Sequence, residues 1–213
     1  MGSAGWLAHE IAQVAYGNRD WMAWNLLLAV VPAVLAVAVF RHEGRRGPGW
    51  WLGAATTLAF LPNAPYVVTD LIHLRSDVLA APTDSVVVAG VIPLYAAFVT
   101  AGFCAYALAV SEFDHLLIRR GRSARTRLVA EAGIHLLSAV GVLLGRVARL
   151  NSWDPVIEPT GTISRALATL TWWGAPVTVA ALAVTCWLGS AAVRALARAV
   201  GGWGTDLHLR LAG

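Results

Sequence analysis

The sequence predicts an all-α protein, a polytopic bundle of about five transmembrane helices in which the second is broken around Pro62 and Pro65. Hydrophobic residues make up 58% of the 213 residues and charged residues only 13%, whereas about a quarter of the residues in a soluble domain are charged. The apolar residues form stretches of about 20, the length that a helix needs to cross a bilayer. Proline removes a backbone donor and disfavours helical geometry at the preceding residue, so two nearby prolines interrupt the second span.

An amphipathic piece over residues 6–16 precedes the first span and is predicted to lie at the membrane interface. The spans are predicted over residues 21–40, 50–70, 86–110, 128–145 and 173–193. A short interfacial helix is expected around residues 164–170, within the irregular segment that joins the last two spans. These boundaries give an N-terminal interfacial segment (1–20), a single membrane domain (21–193) and a C-terminal tail (194–213).

The arginines are distributed unequally between the two sides of this predicted bundle. Loops after the first, third and fifth spans carry eleven arginines, and the opposite side carries five. Because positive charge favours the cytoplasmic side, we expect a cell-membrane protein with its N-terminus outside and its tail in the cytoplasm. Tryptophans typical of a membrane boundary fall on the predicted outer side: Trp21, Trp24, Trp153, Trp172 and Trp173. The bilayer is therefore the expected partner, and nucleic acid is not.

The second span carries polar residues at helical spacing. Asn63, Tyr66, Asp70 and His73 are separated by three, four and three residues, so a helix places them on one face. Polar groups on a membrane helix are costly unless they are paired, coordinated or hydrated. The prolines also free backbone carbonyls, and we expect Asn63 or Asn25 to bond them in an unwound segment between residues 61 and 66.

The predicted topology brings this polar face to the same end of the bundle as Asn25 and the block at residues 145–154. The candidate ligand-binding residues are Asn25, Asn63, Tyr66, Asp70, His73, Arg146, Arg149, Asn151, Trp153 and Asp154. Unpaired charges are penalised at this depth, so Asp70 or His73 is expected to contact the 145–154 block, with Arg146 or Arg149 as the partner.

Several interpretations of these residues stay open. Asp70 and His73 are candidate catalytic residues, and together with Asp154 they are candidate metal ligands, since carboxylate and imidazole suit a divalent ion. A polar pair at a helix end explains Asp70 and His73 equally well. Arg146 and Arg149 can also extend to lipid headgroups, as arginines at the end of a span commonly do. The residues identify no cofactor and no oligomeric state.

The fourth span has a second polar stripe. Glu131 and His135 are four residues apart, and pairing of His135 with Glu131 or with a neighbouring helix is favoured over metal binding. Gly141 and Gly145 form a GxxxG motif, which indicates close helix packing. Asp114, in the basic segment before this span, is expected to pair with an arginine.

Three blocks resemble one family: WNLLLAVVP (24–32), FLPNAPYVVTDLIHL (60–74) and GRVARLNSWD (145–154). It is the bacterial membrane-protein family known as domain of unknown function 1361, and the second block is the longest and most specific of the three. The resemblance implies a small polytopic bacterial membrane protein and implies no particular activity.

Two classes of function fit these observations. In the first, a binding protein holds an anionic lipid or a lipid-linked headgroup, with the two arginines as phosphate partners. In the second, an enzyme at the membrane interface acts on a lipid-linked substrate, with Asp70 or His73 as general base. This enzyme could work with or without a metal ion.

Overall fold

The structure is a computed structural model that describes residues 3–44 and 46–211, except for the side chains of residues 201–211. Some predicted features lie outside the described residues: Arg45 of the first basic loop, the side chain of Arg210 and the outermost residues of both terminal segments. Within the described ranges every regular element is helical. The predicted all-α fold is therefore confirmed.

Ten α-helices follow one another along the described part of the chain. They are α1 (Ser3–Phe40), α2 (Pro48–Phe60), α3 (Asn63–Tyr66), α4 (Ile72–Ala80), α5 (Asp84–Val86), α6 (Ile92–Arg119), α7 (Ala124–Val147), α8 (Asp154–Ile157), α9 (Pro159–Leu170) and α10 (Ala175–Leu211). A 3₁₀ turn (Val67–Leu71) joins α3 to α4, and a π-helical turn (Val87–Val91) joins α5 to α6.

Four helical stretches of the described chain are long and apolar enough to cross a membrane: Ser3–Phe40, Asp84–Arg119, Ala124–Val147 and Ala175–Val200. They lie at the predicted positions of the first, third, fourth and fifth spans. Helix α9 covers the expected interfacial helix and begins five residues before it.

The predicted second span is not among these four stretches, and its helix is broken where the prolines predicted. Helix α2 ends at Phe60, a turn holds Leu61 and Pro62, and α3 adds a single helical turn before the 3₁₀ turn. The amide of Asn63 donates from Nδ2 to the carbonyl oxygen of Phe60 at 2.9 Å. This bond satisfies a backbone acceptor at the break, in agreement with the prediction.

Helix α1 differs from the prediction because it is continuous through residue 20. Its 38 residues span about 57 Å at the usual rise, well beyond a hydrocarbon core of about 30 Å. Asn18 donates from Nδ2 to Oδ2 of Asp77 at 2.8 Å, and Ile11 packs closely on Gly90. The expected N-terminal interfacial segment is thus joined to the first span as one helix that contacts the rest of the protein.

Helices α1 and α6 pack together at the centre, and α10 packs on α7 and α6. The broken span enters this core because α6 presents Gly102 to it. A Cβ at Gly102 would lie 2.4 Å from Cγ2 of Val67 and 2.7 Å from the carbonyl oxygen of Ala64. Close approach of α3 to α6 therefore requires glycine at this position.

Ion pairs gather at the opposite end of the bundle from the break. Three carboxylates pair with arginines there: Glu112 with Arg41, Asp114 with Arg127, and Glu131 with Arg194. The predicted arginine partner of Asp114 is confirmed. His135 Nδ1 shares a hydrogen bond with the Tyr106 hydroxyl of α6 at 2.9 Å, while its Nε2 lies 3.5 Å from Glu131 Oε1 without a hydrogen bond to it. The hydrogen-bonded partner of His135 is therefore on a neighbouring helix.

Candidate functional site

A cavity of about 690 Å³ lies beside the break in the second span. It is bounded by α1, the α2–α3 turn, the end of α7 and the segment that contains α8 and α9. Eight of the ten predicted ligand-binding residues line it: Asn25, Asn63, Tyr66, His73, Arg146, Arg149, Asn151 and Trp153. The structure therefore brings most of the predicted site residues together around one space.

The cavity is amphipathic. Its polar groups are amides, a phenol, an imidazole and two guanidinium groups, while Trp24, Leu28, Leu144 and Leu150 supply apolar surface. Such a space suits a molecule with a polar head and an apolar part, because each portion then meets groups of its own kind.

Asp70 lies behind the cavity rather than in its lining. The residue is 3% exposed, and its Oδ2 accepts a hydrogen bond from Asn25 Nδ2 at 2.7 Å. Its Oδ1 lies 3.5 Å from Nη1 of Arg146. The predicted contact between Asp70 and the 145–154 block is therefore present, with Arg146 as the partner. This geometry makes Asp70 a group that holds Asn25 and Arg146 in place.

The two arginines of the block differ in their surroundings. Arg146 lies between Asp70 and Tyr66, whose hydroxyl is 3.5 Å from Nη1. Arg149 is exposed, and it has no ion-pair or hydrogen-bond partner for its side chain among the described residues. The cavity thus has one compensated and one uncompensated guanidinium group.

His73 lines the cavity, and its ring contacts that of Trp21 at a tilt of 43°, with 5.1 Å between ring centroids. Within the described part of the chain, neither nitrogen of its ring takes part in a hydrogen bond with another residue. Both nitrogens are therefore open to a ligand.

The candidate metal ligands do not come together as a set. Asp154 lies outside the cavity lining, and its carboxylate accepts from the backbone N–H of Asn151 at 2.8 Å. Among the described residues, no group of three histidine, cysteine, aspartate or glutamate side chains is arranged to hold a metal ion. Asp70, His73 and Asp154 therefore do not form a three-ligand site in this structure.

The GxxxG motif of α7 packs against the broken span. A Cβ at Gly141 would lie 2.3 Å from Cγ of Pro62, and one at Gly145 would lie 3.2 Å from Cε2 of Tyr66. The predicted packing role of the motif is confirmed, and its partner is the irregular α2–α3 region.

Other residues line the cavity that were not among the ten predicted ligand-binding residues. Ser152, which lies in the predicted 145–154 block, accepts from Asn63 Nδ2 at 3.0 Å and ties the break to the α7–α8 segment. Trp24, predicted only as a residue of the membrane boundary, lines the cavity beside Asn25. Thr162 of α9 also lines the cavity, and nothing in the sequence around it indicated that.

Comparison with known proteins identifies the family. The family model described as "Protein of unknown function (DUF1361)" matches residues 24–188, more than half of the chain, and the chain belongs to that family. No curated protein and no solved structure matches it. The resemblance carried by the three sequence blocks is therefore confirmed.

Proposed function

We propose that this member of the family binds the headgroup of an anionic lipid, or of a lipid-linked molecule, in the cavity beside the broken span. The observation that carries the proposal is the joining of an uncompensated arginine and several polar donors to apolar surface in one cavity of a helical multi-pass membrane protein. A soluble anion would leave the apolar surface of the cavity without a partner, and a plain hydrocarbon would leave the hydrogen-bond donors without one.

The donors suit phosphate or a similar oxyanion. Guanidinium groups bind phosphate through charge-assisted hydrogen bonds, and two N–H groups of one guanidinium can donate to two phosphate oxygens at once. Arg146 is held by Asp70, so its remaining N–H groups keep a defined direction. Asn25 Nδ2 is likewise held by Asp70, whereas both amide hydrogens of Asn63 are used by the carbonyl oxygen of Phe60 and by Oγ of Ser152. Preorganised donors of this kind lower the entropy lost on binding.

The proposed orientation places the cavity in the outer leaflet. Its support is the distribution of arginines along the sequence, eleven on one side of the spans and five on the other. The cavity lies at the end that carries fewer of them, so its two arginines are not explained by the general bias toward the cytoplasmic side.

One observation favours an enzyme as the alternative. His73 presents a free imidazole to the cavity, and a histidine in that position can act as a general base on a lipid-linked substrate. Asp70, the other candidate base, is engaged by Asn25 and Arg146. The alternative therefore depends on His73.

Native mass spectrometry of the detergent-purified protein tests the proposal. We expect retained anionic lipid on the wild type, and loss of that lipid when Arg146 and Arg149 are both changed to glutamine. The matched control changes Arg122 and Arg125, two exposed arginines at the other end of the bundle, to glutamine. Equal loss in both double variants, or no preference for anionic lipid in the wild type, contradicts the proposal. Substrate turnover that disappears in His73→Ala would establish the enzyme instead.

A further inference from the structure

Arg149 has a backbone conformation that arginine rarely adopts. Its φ is +53°, and it is the only non-glycine residue with a positive φ in the described ranges. The left-handed region is unfavourable for a residue with a Cβ, and glycine is usual at such a position just after a helix. Strain of this kind persists where the surrounding structure holds it, and it is concentrated at ligand sites.

The turn at Arg149 directs the chain toward the cavity. Arg149 comes two residues after the end of α7, and the N–H of Leu150 donates to the carbonyl oxygen of Leu144 at 3.3 Å. The next residues, 151–153, line the cavity together with Arg149 itself. Glycine would make the same turn without strain, so the turn alone does not account for an arginine.

The charges around the cavity also single out Arg149. The guanidinium group of Arg146 is compensated by the carboxylate of Asp70, whereas that of Arg149 is exposed and unpaired within the described part of the chain. The carboxylate of Asp154 lies outside the cavity lining, where it accepts from the N–H of Asn151 and makes no ion pair with Arg149. The cavity therefore offers about one positive charge to a ligand, which a single negative charge balances.

We infer that Arg149 binds the phosphate of the ligand, and that this ligand is an anionic membrane phospholipid whose headgroup carries one net negative charge, on its phosphodiester. The inference rests on the proposed headgroup function and names its ligand class. Free phosphate shares the anionic chemistry, but the apolar lining at Trp24, Leu28 and Leu150 favours a ligand with acyl chains. The strained backbone is retained because glycine at this position would remove the cation.

The test uses the full chain in detergent after removal of bound lipid. Phosphatidylglycerol, phosphatidylcholine and phosphatidic acid with the same acyl chains are titrated, and so is inorganic phosphate. We expect Arg149→Gln and Arg149→Gly to lower the affinity for phosphatidylglycerol about tenfold or more, because each removes a charge-assisted contact. Arg75→Gln removes an exposed charge from α4 outside the cavity lining and should change that affinity by less than about threefold.

Thermal unfolding separates binding from folding. Arg149→Gly relieves the strain, so the apparent Tm of the lipid-free protein should rise by about 1–4 °C while binding is lost. Arg149→Asn provides a second uncharged variant, because asparagine tolerates a positive φ. It should lose binding as well.

Each result has a distinct meaning. Wild-type affinity in Arg149→Gln, or a lower Tm in Arg149→Gly, overturns the role of Arg149 and leaves the proposed cavity function standing. A wild type that binds phosphatidylcholine as tightly as phosphatidylglycerol overturns the proposed function itself. If inorganic phosphate binds as tightly as phosphatidylglycerol, the ligand is not specifically a lipid. If phosphatidic acid binds more tightly than phosphatidylglycerol, the inference of a singly charged ligand is overturned.

Discussion

The pair formed by Asp70 and Arg146 supports a quantitative prediction because its members differ greatly in exposure. The Asp70 side chain is 4% exposed and that of Arg146 is 31% exposed, with 3.5 Å between Oδ1 and Nη1. At this separation the Coulomb attraction is about 5 kcal/mol for an effective dielectric constant of about 20. Solvent around Arg146 screens part of it, so we expect a coupling free energy of about 1–3 kcal/mol.

Asp70→Asn, Arg146→Gln and the double variant form the cycle. Arg146→Gln leaves a buried carboxylate without its cation and should cost about 3 kcal/mol or more. Asp70→Asn keeps an oxygen that accepts from Asn25 and leaves an arginine that reaches solvent, so it should cost about 1–2 kcal/mol. The double variant should be no less stable than Arg146→Gln alone, because no buried charge is left unpaired.

Thermal unfolding of the detergent-purified protein, followed by tryptophan fluorescence, measures these differences. A change of 1 kcal/mol corresponds to about 2–4 °C in Tm for a protein of this size. Glu158 and Arg165 form the control cycle, since their atoms are 3.2 Å apart but their side chains are 64% and 43% exposed. Coupling there should be about 0–1 kcal/mol. Additive effects at Asp70 and Arg146, or coupling no larger than in the control, refute the reasoning.

The other predictions concern packing, the broken span and orientation. Gly141→Ala should lower the Tm because its Cβ would lie 2.3 Å from Pro62 Cγ, whereas Gly133→Ala in the same helix meets no atom within 4 Å and should leave the Tm unchanged or raise it. Equal effects of the two would contradict the packing. Asn63→Ala removes hydrogen bonds to Phe60 and Ser152 and should cost about 1–3 kcal/mol, read from the same unfolding assay; an unchanged Tm would show that the break does not need them. A cysteine at position 122, in an otherwise cysteine-free chain, should resist an impermeant reagent in intact cells, and labelling there would reverse the proposed orientation.

The length of α1 shows where sequence patterns stop being informative. Glycine and polar residues at 17–20 separate the amphipathic piece from the first apolar run, and so they resemble a boundary. In the structure Asn18 donates to Val14 O and to Asp77 Oδ2, and accepts from Trp21 Nε1. The helix continues because these side-chain contacts satisfy its polar residues. Two of the three partners lie on the same helix, but Asp77 is distant in sequence and no local pattern reveals it.

The candidate site was predictable as far as helical spacing holds. The face of Asn63, Tyr66 and His73 lines the cavity as predicted. Asp70 belongs to the same spacing but lies behind the cavity, within the 3₁₀ turn at Val67–Leu71. A 3₁₀ turn advances about 120° per residue and an α-helix about 100°, so residues inside it leave the predicted face. The contact of Ser152 lies in an irregular segment, where no periodicity exists to predict it.

The arrangement around Asp70 favours binding over catalysis. A general base needs a lone pair directed at the substrate, but Asp70 Oδ2 accepts from Asn25 and Oδ1 lies beside Arg146, and neither oxygen lines the cavity. His73 has open nitrogens and a tilted ring contact with Trp21, but no carboxylate of the described residues hydrogen-bonds its ring to orient it for proton transfer. Binding requires only donors that are held in place before the ligand arrives, and Asp70 holds two such donors, Asn25 and Arg146. Asp70→Asn leaves Arg146 without its compensating carboxylate and should shift headgroup binding toward doubly charged phosphatidic acid, whereas loss of a catalytic base would leave binding intact and abolish turnover.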